Sequence, residues 1–438
     1  MMEKLLEKAK QVCDKAEVFS LGHFNHAVSF EDAKLHDIDS KIQSGVSLRI
    51  IKDGKLGFAY TRNLIDRDEL IHNALDSLKG GVAAEYTFPL TKEIPRLDTY
   101  NPIIDKISGT AMVAECRRVC DILSSKTNGE IIMGTSVDIE NIRIINSEGT
   151  DVSSRKGYYS AVGYIGYPGS GGGLWRLYLS RKFEEFPSTI LDELIEFYNK
   201  SSKAVEPKGG RMKVIFMPNC METINWRLLS GTSSKSVYEK STPIADKSGE
   251  KILSEKITFS NNPLDDAVPG ARAFDDEGVA CRNFNVIENG VLKSFFYDLE
   301  YAKKLRAEPT GHGYRTSMWG GDPMTLKPRP SMLHVRFKPG DKSLKQLIES
   351  IDRGIIIEGA LGAHSGNIPN GDYSIGTSPG LYVENGEIVG RIKDAMVSGN
   401  VYETLRDVID VGDTLYTYYW GGHLPPILCD NVNVATKN

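Results

Sequence analysis

Alternating apolar and polar residues recur along the chain and predict a strand-rich protein. The clearest alternation starts at Phe284 and reaches Asn289-Gly290, after which the apolar stretch VLKSFFYD returns. Asn-Gly is the strongest short signal for a hairpin because both residues tolerate positive φ. A short helix is predicted directly after this hairpin, at Leu299–Leu305. Three acidic residues precede the hairpin at positions 275–277.

The first half mixes helical and strand patterns. Apolar residues at helical spacing predict helices near the start and at 66–80, 106–125 and 188–202, with strands between them. Asp53-Gly54 predicts a further hairpin turn. This order of elements indicates an α+β fold rather than regular βαβ alternation.

The second half is richer in strands. Besides the hairpin described above, it contains a second Asn-Gly turn at Asn385-Gly386. A stretch rich in Pro, Gly and Lys near residue 208 resembles a linker. We therefore predict two domains: residues 1–207 with mixed α/β layers, and residues 208–438, strand-rich and built of antiparallel hairpins.

Length and composition narrow the function classes. A chain of 438 residues is too long for one core, and its contents of 40% hydrophobic and 25% charged residues are ordinary for globular proteins. The net charge of −5 gives no basic footprint, so no direct nucleic-acid partner is expected. No signal-peptide core or membrane span is recognisable, which predicts a cytoplasmic protein without a membrane partner. The six cysteines contain no CxxC pair, so we expect buried, reduced thiols.

A glycine-rich stretch, GYPGSGGGLWR at 166–176, superficially suggests a phosphate-binding loop. It lacks the Lys-Ser/Thr of a Walker motif, and a predicted strand follows it instead of a helix. We interpret it as a flexible loop.

Several motifs occur in an order that resembles one family. The acidic lead-in, hairpin and helix at 274–310 are followed by PTGHGYR at 309–315, a glycine-rich block at 359–388 and SGN at 398–400. Together they resemble the TldD/PmbA family, also called modulator of DNA gyrase. The resemblance implies a cytoplasmic dimer of two-domain α+β subunits that enclose a cavity and have peptidase activity.

The resemblance also locates a metal site. TldD-type members carry His-Glu-x-x-x-His on a helix and a cysteine near the C-terminus; these bind zinc, and the glutamate is the general base. The helix corresponds to 214–231 here, where Met221 and Trp226 replace the histidines and Glu222 matches the glutamate. The cysteine position falls close to Trp420. Thioether and indole groups are poor zinc ligands, so the chain resembles the zinc-free PmbA/TldE branch. We expect no metal or cofactor in this chain, and zinc in a TldD-type partner.

A relocated metal or catalytic site is the rival hypothesis. His312, His364 and His423 are candidate donors in the second half, together with Cys429, Asp372 and the acidic residues at 275–277. Isolated loop histidines are more often solvated or bonded to the backbone, and an acidic triplet before a glycine is typical of turn chemistry. No Gly-x-Ser-x-Gly motif supports a serine nucleophile.

Three function classes follow from these observations. The resemblance favours a subunit of a metallopeptidase system, non-catalytic by itself, that acts in peptide maturation or degradation and pairs with a TldD-type subunit or with itself. Its substrate would be a peptide or unfolded protein. The alternatives are an active hydrolase with a noncanonical site, and a non-enzymatic protein that modulates gyrase or another target. The apolar stretches at 294–297 and 416–420 are candidate dimer surfaces, or else core strands.

Overall fold

The computed structural model describes residues 2–317, 319–417 and 422–437. The α-helices in these residues are Met2–Ala9 (α1), Arg67–Ser77 (α2), Gly109–Lys126 (α3), Ser188–Lys200 (α4), Glu222–Thr232 (α5), Ser234–Tyr238 (α6), Leu299–Leu305 (α7), Leu344–Glu349 (α8) and Val401–Thr404 (α9).

The strands of the first half are long. They are Lys15–Glu31 (β1), Lys34–Lys52 (β2), Lys55–Thr61 (β3), Glu130–Asn146 (β4), Asp151–Gly166 (β5) and Gly173–Ser180 (β6). They form one antiparallel sheet in the order β3-β2-β1-β4-β5-β6. The glycine-rich loop connects β5 to β6, as the sequence predicted.

The strands of the second half are shorter. They are Ala204–Val205 (β7), Gly210–Phe216 (β8), Phe259–Asn261 (β9), Phe284–Glu288 (β10), Val291–Leu292 (β11), Gly313–Tyr314 (β12), Arg329–Pro330 (β13), Val335–Phe337 (β14), Arg353–Ile357 (β15), Ala360–Leu361 (β16), Asp372–Thr377 (β17), Gly380–Glu384 (β18), Glu387–Ile392 (β19), Met396–Asn400 (β20), Val408–Val411 (β21), Tyr416–Thr417 (β22), His423–Leu424 (β23) and Ile427–Ala435 (β24).

These strands form one large and two smaller sheets. The ten-stranded sheet has the order β16-β17-β20-β24-β8-β15-β18-β19-β7, with β21 also paired to β24. A six-stranded sheet has the order β11-β10-β9-β14-β23-β22, and β12 pairs with β13. The α+β fold predicted from the sequence is confirmed.

Turn residues define the hairpins. Asn289 and Gly290 have φ values of 47° and 77°, and Asp53 and Gly54 have 52° and 69°, so both predicted turns form with positive φ. The predicted helix at 106–125 begins later, at Gly109, because the Ser108 hydroxyl accepts the Ala111 N–H and caps it there.

The predicted return strand after Gly290 is wrong beyond Leu292. The Lys293 and Ser294 N–H groups still donate to the Val286 carbonyl of β10, but the backbone then joins the α5–α6 junction. There the Phe296 N–H donates to the Thr232 carbonyl, and the Ser234 N–H donates to the Phe296 carbonyl. Burial of the Phe296 ring in the core, at 1% exposure, accompanies this change of partner.

The hydrophobic core extends across the predicted domain boundary. One buried cluster combines Met133 and Tyr159 of the first sheet with Ile215 and Leu428 of the ten-stranded sheet. β7, which lies before residue 208, pairs with β19. The division into 1–207 and 208–438 stays a prediction, and apolar packing and backbone hydrogen bonds both cross it.

Candidate functional site

Helix α5 carries the positions at which the family resemblance implies a metal site. β8 ends at Phe216, a 3-10 turn follows, and α5 begins at Glu222, whose carboxylate lies favourably at the positive end of the helix dipole. Met221 precedes the helix and is fully buried, whereas Glu222 and Trp226 are half-buried.

A buried arginine fixes α5 against the glycine-rich block of the second half. The Arg227 Nε donates to the Asp372 carbonyl, and its two terminal nitrogens donate to the Ala363 and Ser365 carbonyls, each at 2.7 Å. Burial lowers the pKa of Arg227 to about 10. The block that carries much of the family resemblance therefore determines where the helix lies.

The residues present do not fit a zinc ion. The Met221 side chain belongs to the apolar core, and neither its thioether nor the Trp226 indole provides an imidazole or thiolate donor. The neighbouring Cys220 is also buried, and burial raises the pKa of its thiol to about 12, which keeps it protonated. Trp420, close to which the resemblance places the cysteine ligand, lies outside the described residues.

Trp226 lies instead at a cavity of about 340 Å³ beside α5. Its walls combine large apolar side chains with hydroxyl groups and a few charges. The apolar residues include Trp226, Leu229, Phe296, Pro330 and Met332; the hydroxyl groups include Ser230, Ser236 and Ser331; the charged residues are Lys235, Glu239 and Arg329. An apolar cavity with a few polar groups is typical of a binding site for an organic ligand.

Asn225 provides the unusual polar feature of this cavity. It lines the cavity wall, it is 1% exposed, and neither its Oδ1 nor its Nδ2 atom has a hydrogen-bond partner among the described residues. An unsatisfied buried amide costs about 1–3 kcal/mol. A ligand with both a donor and an acceptor, such as a peptide group, is complementary to it.

The structure places His312 in an aromatic core. The Nδ1 atom lies 2.9 Å from the Thr310 hydroxyl, and the rings of Phe284, Phe296 and Tyr314 surround the imidazole. Burial lowers its pKa to about 3, so the ring is neutral at physiological pH. His312 is fully buried, and its Nε2 atom has no partner within the part of the chain that the structure describes.

The other two candidate histidines lie in different surroundings. His364 is exposed, and the centroid of its ring lies 5.0 Å from that of Trp319. His423 is half-buried on β23. Within 2–317, 319–417 and 422–437, no three His, Cys, Asp or Glu residues come together as a metal-binding group. The structure thus does not bring these candidates together, and their role as ligands stays a prediction.

The acidic triplet is buried and fully engaged. Asp275 accepts the Glu277 and Val279 N–H groups, which is the turn chemistry expected from the sequence. Asp276 pairs with Arg272 at 2.5 Å.

The third acidic residue connects to the first half of the chain. Glu277 pairs with Arg49 at 3.0 Å, 228 residues earlier. No sequence signal predicts this contact, because turn motifs and helical spacing relate only residues that are close together in the chain.

Sequence reasoning also missed Asn225 and Arg227. The only available signal was the occurrence of two polar side chains within the otherwise apolar helix pattern INWRLL. The pattern does not reveal that Arg227 holds the helix against the glycine-rich block, or that Asn225 lines a cavity.

Comparison with known proteins identifies the family. The PmbA/TldA metallopeptidase C-terminal domain matches residues 209–436, and domain 1 of the same family matches 16–78. The chain belongs to the PmbA/TldA metallopeptidase family. The resemblance found in the sequence is therefore confirmed.

Relatives match this chain over nearly its full length. The crystal structure of TldE from Thermococcus kodakarensis superposes with a TM-score of 0.90 at 26% identity, covering 99% of both chains. An uncharacterized protein of Methanocaldococcus jannaschii is 26% identical over 420 residues, 94% of this chain and 95% of its own. A metalloprotease of the same organism is 27% identical over 430 residues, covering 93% and 91%.

The helices give no sign of membrane insertion. In the described part of the chain, none is long and apolar enough to cross a bilayer.

Proposed function

We propose that this chain is the zinc-free subunit of a cytoplasmic peptidase system and holds peptide substrate for a zinc-bearing TldD-type partner. The observation that carries the proposal is the composition of α5. Where the resemblance places the histidines of the zinc-bearing members, this chain has a core methionine, Met221, directly before α5 and a tryptophan, Trp226, at a cavity wall. We take α5 to correspond to the metal-binding helix of the zinc-bearing members, without the side chains that would bind the metal.

The cavity supports a peptide as the ligand. The apolar walls formed by Trp226, Phe296 and Met332 suit an apolar side chain, because burial of apolar surface drives such contacts. The Asn225 amide can donate to a peptide carbonyl and accept a peptide N–H. Serine hydroxyls around the cavity provide further donors and acceptors.

We therefore expect this chain to bind the peptide and the zinc-bearing subunit to cleave it. The chain alone is expected to bind unfolded or extended peptides without cleaving them. Cleavage is expected only after addition of a subunit that carries His-Glu-x-x-x-His. We expect the pair to cleave peptides faster than the zinc-bearing subunit alone, because this chain positions the substrate.

Calorimetry with a casein-derived peptide tests the first half of the proposal. Asn225→Leu should weaken binding about tenfold, because a peptide group loses a buried amide partner worth about 1–3 kcal/mol. Asn199→Leu on the exposed side of α4 is the matched control and should leave affinity unchanged.

Peptide cleavage by the mixed subunits tests the second half. Zinc-independent cleavage by this chain alone would overturn the proposal, as would identical peptide affinity in the wild type and the Asn225→Leu variant. A mixture no faster than the TldD-type subunit alone would also contradict it.

A further inference from the structure

One cation at the cavity beside α5 has no anionic partner. Arg329, on β13, lines this cavity and is exposed, so it lies where the cavity meets solvent. Among the described residues, no aspartate or glutamate lies within ion-pair distance of its guanidinium. Partial burial lowers the pKa of Arg329, and no neighbouring carboxylate opposes that shift. The guanidinium is nevertheless charged at physiological pH, as arginine in proteins always is.

The other two charged side chains that line the cavity neutralise each other. Lys235 of α6 and Glu239, directly after this helix, are four residues apart, and their charged atoms lie 3.8 Å from each other. The residues that line the cavity therefore carry one positive charge in excess, that of Arg329. By contrast, Arg336 on β14 has its own carboxylate partner, Asp265, at 2.8 Å. A ligand with one negative charge would supply what Arg329 lacks.

The chemistry of the cavity walls matches the last residue of a peptide. A guanidinium is complementary to a carboxylate, because its planar fork can donate to both carboxylate oxygens at once. The walls also contain the apolar side chains of Trp226, Phe296 and Met332, and the buried Asn225 amide whose donor and acceptor are both unsatisfied. An α-carboxylate, an apolar side chain and a peptide group all occur together at the C-terminal end of a peptide.

The size of the cavity also favours a chain end. Its volume of about 340 Å³ is at the small end of the range for ligand pockets, about 300–1,000 Å³. A chain end crosses the mouth of such a cavity once, whereas an internal segment needs space for its backbone to enter and to leave. Charge then distinguishes the two ends of a peptide, because Arg329 repels an α-ammonium group and attracts an α-carboxylate.

We propose that the cavity beside α5 binds the C-terminal residue of a peptide, pairs its α-carboxylate with Arg329 and prefers an apolar side chain at that residue. Such recognition rests on the proposed peptide-holding role and specifies which peptides the chain holds and by which end. The Asn225 amide binds the last peptide group. The rest of the peptide extends out of the cavity, where it is accessible to a zinc-bearing subunit.

Calorimetry of the full chain with two pentapeptides tests the proposal at low ionic strength, where exposed charge pairs are least screened. The probes are acetyl-Ala-Ala-Ala-Ala-Leu with a free C-terminal carboxylate and the same peptide with a C-terminal amide. The wild type should bind the free acid about fivefold more tightly, as expected for a charge pair open to solvent. Arg329→Gln should bind both probes with the affinity of the amide. Arg329→Lys should keep a preference of about twofold, because lysine preserves the charge but not the fork.

Three controls accompany this measurement. Arg117→Gln removes a charge from the exposed side of α3 and should leave the preference for the free acid unchanged. Asn225→Leu should weaken binding of the acid and of the amide by the same factor, because its amide does not contact the carboxylate. A third probe, acetyl-Ala-Ala-Glu-Ala-Leu amide, separates an α-carboxylate from an acidic side chain and should bind no more tightly than the uncharged amide. The melting temperature of Arg329→Gln should equal that of the wild type, since Arg329 is exposed.

Equal affinity of the wild type for the acid and the amide would overturn C-terminal recognition, as would a preference that Arg329→Gln leaves intact. Tighter binding of the glutamate-containing amide would also overturn it and would assign Arg329 to acidic side chains instead. In each of these cases the peptide-holding role stands if Asn225→Leu still weakens binding. If the wild type binds the casein-derived peptide but neither pentapeptide, only C-terminal recognition is excluded. If it binds none of the three peptides, both proposals fail.

Discussion

Glu17 and Arg49 lie directly opposite each other on β1 and β2 and form a fully buried two-point ion pair. The Arg49 Nε and Nη2 atoms donate to the two Glu17 carboxylate oxygens, each at 2.8 Å. The remaining terminal nitrogen of Arg49 donates to Glu277 at 3.0 Å. One guanidinium thus connects the first sheet to the acidic segment of the second half.

Replacing Arg49 should be severely destabilising. In Arg49→Leu, Glu277 loses its counter-charge and Glu17 keeps only Arg315, at 3.7 Å. Breaking a buried pair in this way costs about 3–5 kcal/mol. Urea denaturation measures the change in the free energy of unfolding. Lys8→Met removes the exposed contact between Lys8 and Asp68 and should cost less than about 1 kcal/mol. A loss below about 1 kcal/mol in Arg49→Leu would contradict this account of the network.

Asp298 should make the protein less stable as the pH rises. It caps α7 by accepting the Tyr301 N–H, and burial, reinforced by the charge of Glu277, raises its pKa to about 8. Because the pKa of 3.8 in the unfolded chain is lower, the stabilising contribution of this carboxyl is complete below pH 3.8 and is lost as the pH rises to about 8.

Asp298→Asn tests this dependence, because the amide keeps the capping oxygen and cannot ionise. We expect the variant to match the wild type below pH 3.8 and to have the higher melting temperature at pH 8–9. If the melting temperatures of the two proteins change equally with pH, Asp298 does not ionise with a raised pKa.

His312 should make the protein less stable as the pH falls into the acidic range. Burial holds its pKa at about 3 in the folded protein, below the ordinary 6.5. The stability that this neutral ring contributes is complete above pH 6.5 and is lost as the pH falls towards 3, because the unfolded chain takes up the proton first. His312→Phe keeps the aromatic packing and should flatten the fall in melting temperature between pH 6.5 and 4. An unchanged slope would mean that another group, such as His334, causes it.

Local sequence signals predicted much of the fold. The turn at Asn289-Gly290, the helix at Leu299–Leu305 and the strand after the glycine-rich loop all depend on residues close together in the chain, and all are present. The return strand failed because its continuation depends on tertiary partners: Phe296 finds hydrogen bonds at the α5–α6 junction instead of across the hairpin.

The site was predicted less completely than the fold. The family motifs led to the prediction that the segment around α5 lacks the metal donors, because donor chemistry is a feature of residue type. They gave no indication that Met221 packs in the core while Trp226 reaches a cavity, or that Asn225 is buried without a partner. Such facts depend on segments far apart in sequence, including the segment around Met332, which lines the same cavity as Trp226.

Restoring the two histidines should not restore a zinc site. If Met221 and Trp226 correspond to the zinc histidines, as the resemblance implies, Met221→His and Trp226→His would place two imidazoles around one point. In this structure the Met221 side chain is fully buried in the apolar core, and only Trp226 lines the cavity. Zinc histidines also need acceptors for their other ring nitrogen, which an apolar core does not provide.

We therefore expect the double variant to bind zinc no more tightly than Trp226→His alone, by zinc titration after removal of metal. Met221→His should lower the free energy of unfolding by about 2–5 kcal/mol, since it exchanges a buried apolar side chain for a polar one without partners. Met212→His, at a second buried methionine of the same core, is the matched control for this loss. Submicromolar binding of one zinc by a folded double variant, absent from each single variant, would show that the metal geometry of the zinc-bearing relatives persists here and that the burial of Met221 does not prevent it.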